Sequence, residues 1–295
     1  MNQFIKRYRQ ICPDFSEVQA IHHAIRVNTL KITEKNLVER LNKKRITLEK
    51  IPFVKHGYFA KARFSLASVP EYLQGYYYIQ EAASQVPAEI LDPKPTDTVL
   101  DMCAAPGSKL THLAQLMQNK GCIIGLDIED KRLEAVRNNV ARLGMTNILL
   151  YKKDAKQALD LGMKFDKILL DAPCSGNYCT ERNWFKRRKV KDFENRAILQ
   201  KQLLKAGVSV LKPRGELVYS TCSLEPEENE VVVDWALKKY NLKLAKINLS
   251  VGDSGITNPF GKRLSSEIKN CIRFWPHKTG TQGFFIAKFV FKGTA

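Results

Sequence analysis

A chain of 295 residues with 44% apolar side chains can bury a sizeable core, which sets it apart from disordered chains. No run approaches the roughly 18–20 consecutive apolar residues of a spanning helix. Lys and Arg number 48 against 30 Asp and Glu, a formal net charge of +18 that speaks about partners and not about fold. Nucleic acid is the first partner it implies, an anionic membrane surface the second. The basic start, Met1 to Arg9, lacks the apolar stretch of a signal peptide, so a soluble cytoplasmic protein is expected. Seven cysteines show no C-x-x-C pair and no zinc-like spacing; reduced thiols and no metal are expected.

Residues 1–70 read as a small, basic α+β (RRM-like) domain suited to RNA contact. Phe15 to Ile25 is expected to be helical with Ser16 at its N-cap, Ile25 to Leu30 alternates as a strand would, and Ile32 to Leu41 has helical spacing. Lys43, Lys44 and Arg45 form one cationic run. Residues 71–295 read as the catalytic domain. Ser84 to Leu91 suggests a helix, closed by the Pro-rich turn 92–97. Short apolar runs at Thr98–Met102, Gly121–Asp127, Asn147–Tyr151, Lys167–Asp171 and Glu216–Ser220 then alternate with helical segments at Lys109–Met117, Lys131–Leu143, Asp192–Leu211 and Glu228–Tyr240, and Phe284–Phe291 closes as a last strand. That alternation predicts a mostly parallel, Rossmann-like α/β sheet covered on both faces.

In such sheets, ligands gather beyond the C-terminal strand ends. The first strand leads into Asp101-Met-Cys-Ala-Ala-Pro-Gly-Ser-Lys109, which has one glycine and neither the dinucleotide nor the P-loop pattern. Small residues there still admit a ligand close to the backbone. Asp127 ends the second strand, placed to accept from ribose hydroxyls, and Asp154 follows the third, placed to accept from an adenine amino group. A nucleoside site without a phosphate grip favours S-adenosylmethionine over NAD or ATP.

Two cysteines follow strands in polar turns: Cys174 in Asp171-Ala-Pro-Cys-Ser-Gly176 and Cys222 in Tyr219-Ser-Thr-Cys-Ser223. Strand-end cysteines are usually inert small hydrophobes, the reading that suits Cys12, Cys122, Cys179 and Cys271. Cys174 and Cys222 lie instead at the ligand edge, where Lys109 or a helix N-terminus can favour a thiolate. Arg182-Asn-Trp-Phe-Lys-Arg-Arg-Lys189 follows the Cys174 turn and joins aromatics to cations, a pattern that suits phosphate contact plus base stacking.

These stretches, with Ser220-Thr-Cys-Ser-Leu-Glu-Pro-Glu-Glu-Asn-Glu230, Arg26-Val-Asn-Thr-Leu-Lys31 and Gly283-Phe-Phe-Ile-Ala-Lys288, closely resemble the RNA cytosine-5 methyltransferases (the NOL1/NOP2/Sun family) over nearly the whole chain. Thr257-Asn-Pro-Phe-Gly261 and Ser266 to Asn270 resemble its archaeal tRNA branch most. Ser108 departs from a usual Gly, and Asn177 to Arg182 stands where the family commonly has a second Gly and a different basic pattern. The resemblance implies S-adenosyl-L-methionine as cofactor and tRNA as substrate; a monomer is expected. It implies Cys222 as the nucleophile that adds to cytosine C6, Cys174 as the base or release group, Asp171 on the N3/N4 edge of the base, and Lys109 as an assistant. Cofactor contacts are implied for Cys103, Ala104, Ala105, Pro106, Gly107, Ser108, Lys109, Asp127, Arg132, Asp154, Asp171 and Pro173. RNA contacts are expected at Arg26, Arg182, Lys186, Arg187, Arg188 and Lys189. DNA cytosine-5 enzymes, which use the Pro-Cys cysteine as nucleophile, and adenine N6 enzymes, with their Pro-Pro-aromatic turn, fit less well. A non-catalytic RNA-binding protein would not need both cysteines.

Overall fold

The computed structural model describes residues 2–18 and 21–293. The chain forms two compact units: His22–Ala155, and a second made of Met1–Ile21 with Lys156–Ala295.

The unit His22–Ala155 opens with a four-stranded antiparallel sheet. Its strands are β1 (Ala24–Val27), β2 (Thr47–Lys50), β3 (Gly57–Lys61) and β4 (Tyr77–Ile79), in the order β2-β3-β1-β4. Ile25, Val27, Leu37, Leu41, Ile46 and Tyr77 form its apolar core. The helix Glu34–Lys43 starts where Thr33 caps it, its hydroxyl accepting from Asn36 N at 3.3 Å. The boundary expected at residue 70 falls inside this sheet, because β4 pairs with β1 through Ile25–Ile79 and Val27–Tyr77. A parallel trio follows: β5 (Thr98–Asp101), β6 (Cys122–Asp127) and β7 (Ile148–Lys152), in the order β5-β6-β7. Helices Ser108–Leu116 and Asp130–Leu143 join them, and the second ends at Gly144 in the left-handed conformation. This is the expected strand–helix alternation.

In the other unit, β8 (Phe165–Asp171) and β9 (Leu211–Thr221) are parallel, connected through the long helix Val190–Ser209. Beyond them come β10 (Leu242–Leu244), β11 (Asp253–Ser254), β12 (Ile272–Phe274) and β13 (Phe284–Phe291). β13 runs antiparallel to β9, from Phe285–Thr221 to Val290–Glu216. β8 and β9 are apolar on both faces where they are deepest (Ile168 to Leu170, Leu217 to Tyr219), as central strands must be.

The expected helix over 15–25 is not formed. Residues 15–18 and 21–23 are not helical, and Gln19 and Ala20 lie outside the described residues. A helix runs instead from Gln3 to Ile11, and the turn at Cys12–Phe15 aims Phe15 inward. Phe4, Tyr8, Phe15, Trp184, Phe193, Leu224 and Trp275 form one aromatic-rich core. Among the described residues, no helix is long and apolar enough to cross a membrane.

Candidate active site

Parallel pairing sets Asp171 of β8 beside Ser220 of β9. The two strands therefore release their chains side by side, and Ala172 N donates to Ser220 O at 2.8 Å across the gap. Ser220 Oγ donates to Asp171 Oδ1 at 2.7 Å. Three residues past Asp171 and two past Ser220, the half-buried Cys174 and Cys222 bring their sulfurs to 3.1 Å. The hydrogen bond to Cys222 pushes the Cys174 thiol up, and burial and the charge of Glu228 add to this. Cys174 thus holds its proton more tightly than a free thiol does.

The residue after each cysteine is a buried serine. Ser175 Oγ and Ser223 Oγ lie 3.3 Å apart, and both donate to Glu228 Oε1, Ser223 at 2.9 Å. Glu228 Oε2 accepts from Ser175 N at 3.0 Å and Gln200 Nε2 at 2.8 Å. Gln200 Nε2 also donates to the Pro173 carbonyl at 3.0 Å. Burial raises the Glu228 pKa, while these donors from Ser175, Gln200 and Ser223 oppose the rise. Asn177 is fully buried: its Nδ2 donates to Cys222 O at 2.8 Å and Gly283 O at 3.3 Å.

Outside the Cys222 turn, Glu225 accepts from Tyr8 Oη at 2.7 Å and Arg7 at 3.2 Å, so the N-terminal helix is tied to this loop. Burial nevertheless drives Glu225 up to about 7. Arg273 and Glu230 form a fully buried pair, with Nε donating at 2.6 Å. Sequence reasoning missed Glu225, Glu228, Asn177 and the N-terminal helix. A signal for the helix was present: Asn2 as a cap, followed by Phe4 and Tyr8 at i, i+4 spacing.

The residues expected to hold a cofactor lie mainly in the unit His22–Ala155, on the loop between β5 and the helix Ser108–Leu116. Ala104 N donates to Leu126 O at 2.8 Å, laying the loop along β6. Gly125 permits this, because a Cβ there would stand 3.2 Å from Ala104 Cβ and 2.9 Å from Leu150 Cδ2. Gly107, at φ +99°, turns the chain into the helix. Asp127 is buried. Its Oδ1 accepts from Glu129 N at 3.1 Å, and Arg132 lies 3.4 Å from Oδ2 and also reaches Ala105 O at 3.3 Å. Asp154 is half-buried just beyond β7. Lys109 is buried and donates to Ser84 Oγ at 2.8 Å. Carboxylates to accept from hydroxyls and an amino group, and small residues around an exposed backbone turn, form a set that suits a nucleoside.

The expected RNA contacts divide. Arg182, Lys186, Arg187 and Lys189 are exposed. Arg188 instead donates through Nε to Ser175 O at 3.0 Å and pairs with Glu181, bracing the Cys174 turn. Trp184 is no stacking platform either, for it is buried and its Nε1 donates to Ser175 O at 2.7 Å. Arg26 is also corrected. It is 1% exposed, and its guanidinium donates to Ser108 O at 2.7 Å, Thr111 Oγ1 at 3.0 Å, Gln115 Oε1 at 3.2 Å and Gln80 Oε1 at 2.5 Å. It ties β1 to the start of the loop helix.

A separate group, Cys12, Asp14 and His277, has metal-ligand types within reach of one another. Lys278 already supplies the cation there, 3.2 Å from Asp14 and 2.8 Å from Asp253.

Comparison with known proteins agrees with this chemistry. Residues 88–290 match the family described as 16S rRNA methyltransferase RsmB/F, and residues 2–82 match the N-terminal domain of 16S rRNA methyltransferase RsmF. A tRNA (cytosine(49)-C(5))-methyltransferase of Pyrococcus abyssi is 39% identical over 274 residues, 90% of this chain and 86% of its own length. A 28S rRNA (cytosine-C(5))-methyltransferase of Mus musculus is 38% identical over 273 residues, and the chain spans only 34% of that relative's length. Among solved structures, a methyltransferase homolog protein from Pyrococcus horikoshii superposes with a TM-score of 0.88 at 44% identity, covering 98% of this chain and 94% of its own. NSun6 from the same organism, solved with SFG, gives a TM-score of 0.84 at 30% identity, covering 94% and 92%.

Proposed function

The chain belongs to the 16S rRNA methyltransferase RsmB/F family, the NOP2/Sun group of RNA cytosine-5 methyltransferases, and from that premise we propose that it methylates C5 of a cytosine in tRNA. The observation that carries the reading is the pair Cys174–Cys222, two sulfurs 3.1 Å apart at the ends of adjacent parallel strands. The choice of tRNA rests on the archaeal relative whose whole length this chain nearly covers.

C5 of cytosine is a weak nucleophile. Addition of a Cys222 thiolate to C6 makes C5 electron-rich and divides one hard step into two easier ones. S-adenosylmethionine, when bound, supplies the methyl group that C5 accepts. The loop Cys103–Lys109, Asp127, Arg132 and Asp154 are the residues of the unit His22–Ala155 suited to hold it.

The thiol pair begins with one proton, held by Cys174. As charge builds toward ring N3 after C6 addition, that proton moves to the ring, with Asp171 on the N3/N4 edge. The emptied Cys174 sulfur takes the C5 proton after methyl transfer. The Cys222–C6 bond then breaks and N3 gives its proton to solvent. The pair returns to its starting protonation. A base inside a helix cannot reach such a site, so the cytosine is extruded from its stack.

The test is a cysteine swap. Cys222→Ala is expected to abolish both turnover and covalent adduct, and Cys174→Ala, where solvent must supply the N3 proton and no thiolate removes the C5 proton, to accumulate an RNA–protein adduct stable to denaturing electrophoresis when cofactor is present. Methylation by Cys222→Ala would refute the assignment. Bisulfite sequencing of RNA from a deletion strain identifies the cytosine and decides between tRNA and rRNA.

A further inference from the structure

We infer that Glu228 is a positioning residue for the thiol pair, a single carboxylate that sets the Cys174 turn against the Cys222 turn. The inference rests on the reading of Cys222 as nucleophile. Its basis is the convergence of four donors on one buried group: Ser175 N, Ser175 Oγ, Ser223 Oγ and Gln200 Nε2. Ser175 directly follows Cys174 and Ser223 directly follows Cys222, so the carboxylate holds the covalent neighbours of both sulfurs. Glu228 is itself anchored, since its carbonyl accepts from Tyr219 Oη of β9 at 2.5 Å. Cys222 is therefore fixed by β9 from below and by Glu228 from one residue beyond.

All four partners donate, so the position calls for a group that only accepts. An ionised carboxylate satisfies them all. Glutamine has nearly the same shape but brings two N–H donors of its own, and one oxygen must then serve the serines alone. Gln200 can relieve part of the conflict, because its Oε1 is buried without a partner and a rotated amide would accept from a glutamine at 228. Ser175 N–H is left facing a donor. The Cys174 turn then shifts and, through the 3.3 Å contact between the Ser175 and Ser223 hydroxyls, carries the Cys222 turn with it, and a misplacement near 1 Å costs on the order of 100-fold in rate.

Charge and shape make opposite demands, and this provides the test. Glu228→Gln keeps the shape and loses the acceptor character; Glu228→Asp keeps the acceptor character and loses a methylene. Both are made in the wild type and in Cys174→Ala, and read by kcat, by KM for RNA and by the single-turnover rate of adduct formation. The expected result is that Glu228→Gln lowers kcat and the adduct rate by tenfold or more, with KM for RNA within about twofold. Glu228→Asp is expected to retain more of both rates than Gln does. Thermal melting restricts the comparison to variants that remain folded. If Gln does not fold, Ser175→Ala removes one hydroxyl donor without adding volume and is expected to slow the same step.

Unchanged adduct rates in folded Glu228→Gln, or in Ser175→Ala where Gln does not fold, would overturn the role, as would a Gln variant faster than Asp. Failure of Cys174→Ala alone to form adduct, with Glu228 intact, would instead overturn the assignment of the cysteines.

Discussion

Asn177 Nδ2 donates to the backbone carbonyl of Cys222 at 2.8 Å, across 45 residues of sequence, and the same nitrogen reaches the carbonyl of Gly283 at 3.3 Å. The residue thus ties the Cys174 turn to the backbone of Cys222. Asn177→Ala leaves one buried and one partly buried carbonyl without this donor, and a loss of about 1–3 kcal/mol is expected. Urea denaturation should show that loss, and activity should fall at a temperature where the variant is still folded. Equal stability and rate would remove Asn177 from the support of the turn.

Stability should depend on pH through Glu225. Burial raises its pKa from 4.5 to about 7, so between those values the folded chain holds a proton that the unfolded chain has released. Stability from this group is present below pH 4.5 and is lost as pH rises through 7, by about 3 kcal/mol at 1.36 kcal/mol per unit. Glu225→Gln, which titrates no proton there, should flatten that part of the curve in denaturant titrations at several pH values.

Glu34 should act in the opposite sense. Against burial, donation from Lys50, Tyr58 and His56 holds its pKa at about 2. Its contribution is present above 4.5 and is lost as pH falls toward 2. Glu34→Gln should therefore be less stable than wild type at neutral pH, with the difference shrinking toward the most acidic points.

The cations near the Cys174 turn should separate by role. RNA affinity is expected to fall steeply with salt. Replacing exposed Lys186 or Lys189 by Ala should shallow the log–log slope by about 0.7 for each single-strand phosphate that the side chain neutralises. Arg188→Ala should reduce kcat because it removes a brace from Ser175 O, with KM for RNA changed less. A flat salt response would count against this surface as the RNA footprint.

Arg26→Ala should leave the salt slope unchanged and cost on the order of 3 kcal/mol, because it strips donors from Ser108 O, Gln80 and Gln115 together. Weaker binding of S-adenosylmethionine is expected to accompany it, since Ser108 begins the loop helix. Isothermal titration with the cofactor, alongside chemical denaturation, reads both effects.

The Rossmann-like part was legible because central parallel strands must be apolar on both faces, and runs such as Lys167–Asp171 and Gly121–Asp127 have few other uses. The Cys174 and Cys222 turns were legible for a related reason, since small polar residues after such runs mark the ligand edge. Side-chain direction was not. Trp184 sits in a cationic run whose charge suggested a wet, stacking surface, yet it packs on Phe4 and Phe193 and leaves the cations outside. Arg26 looked like a phosphate ligand because a lone arginine in a strand gives no sign of the glutamines that receive it. Glu228 was hidden because its partners Ser175 and Gln200 lie 53 and 28 residues away, and only the folded crossover brings them together.

Two sulfurs held at 3.1 Å, half exposed at the end of a pair of strands, also form a bidentate soft ligand. Thiophilic ions such as trivalent arsenic or mercury prefer such a pair to an isolated cysteine, because the second bond forms without further loss of freedom. Inhibition by such ions should therefore need both Cys174 and Cys222, and either single alanine variant should weaken it.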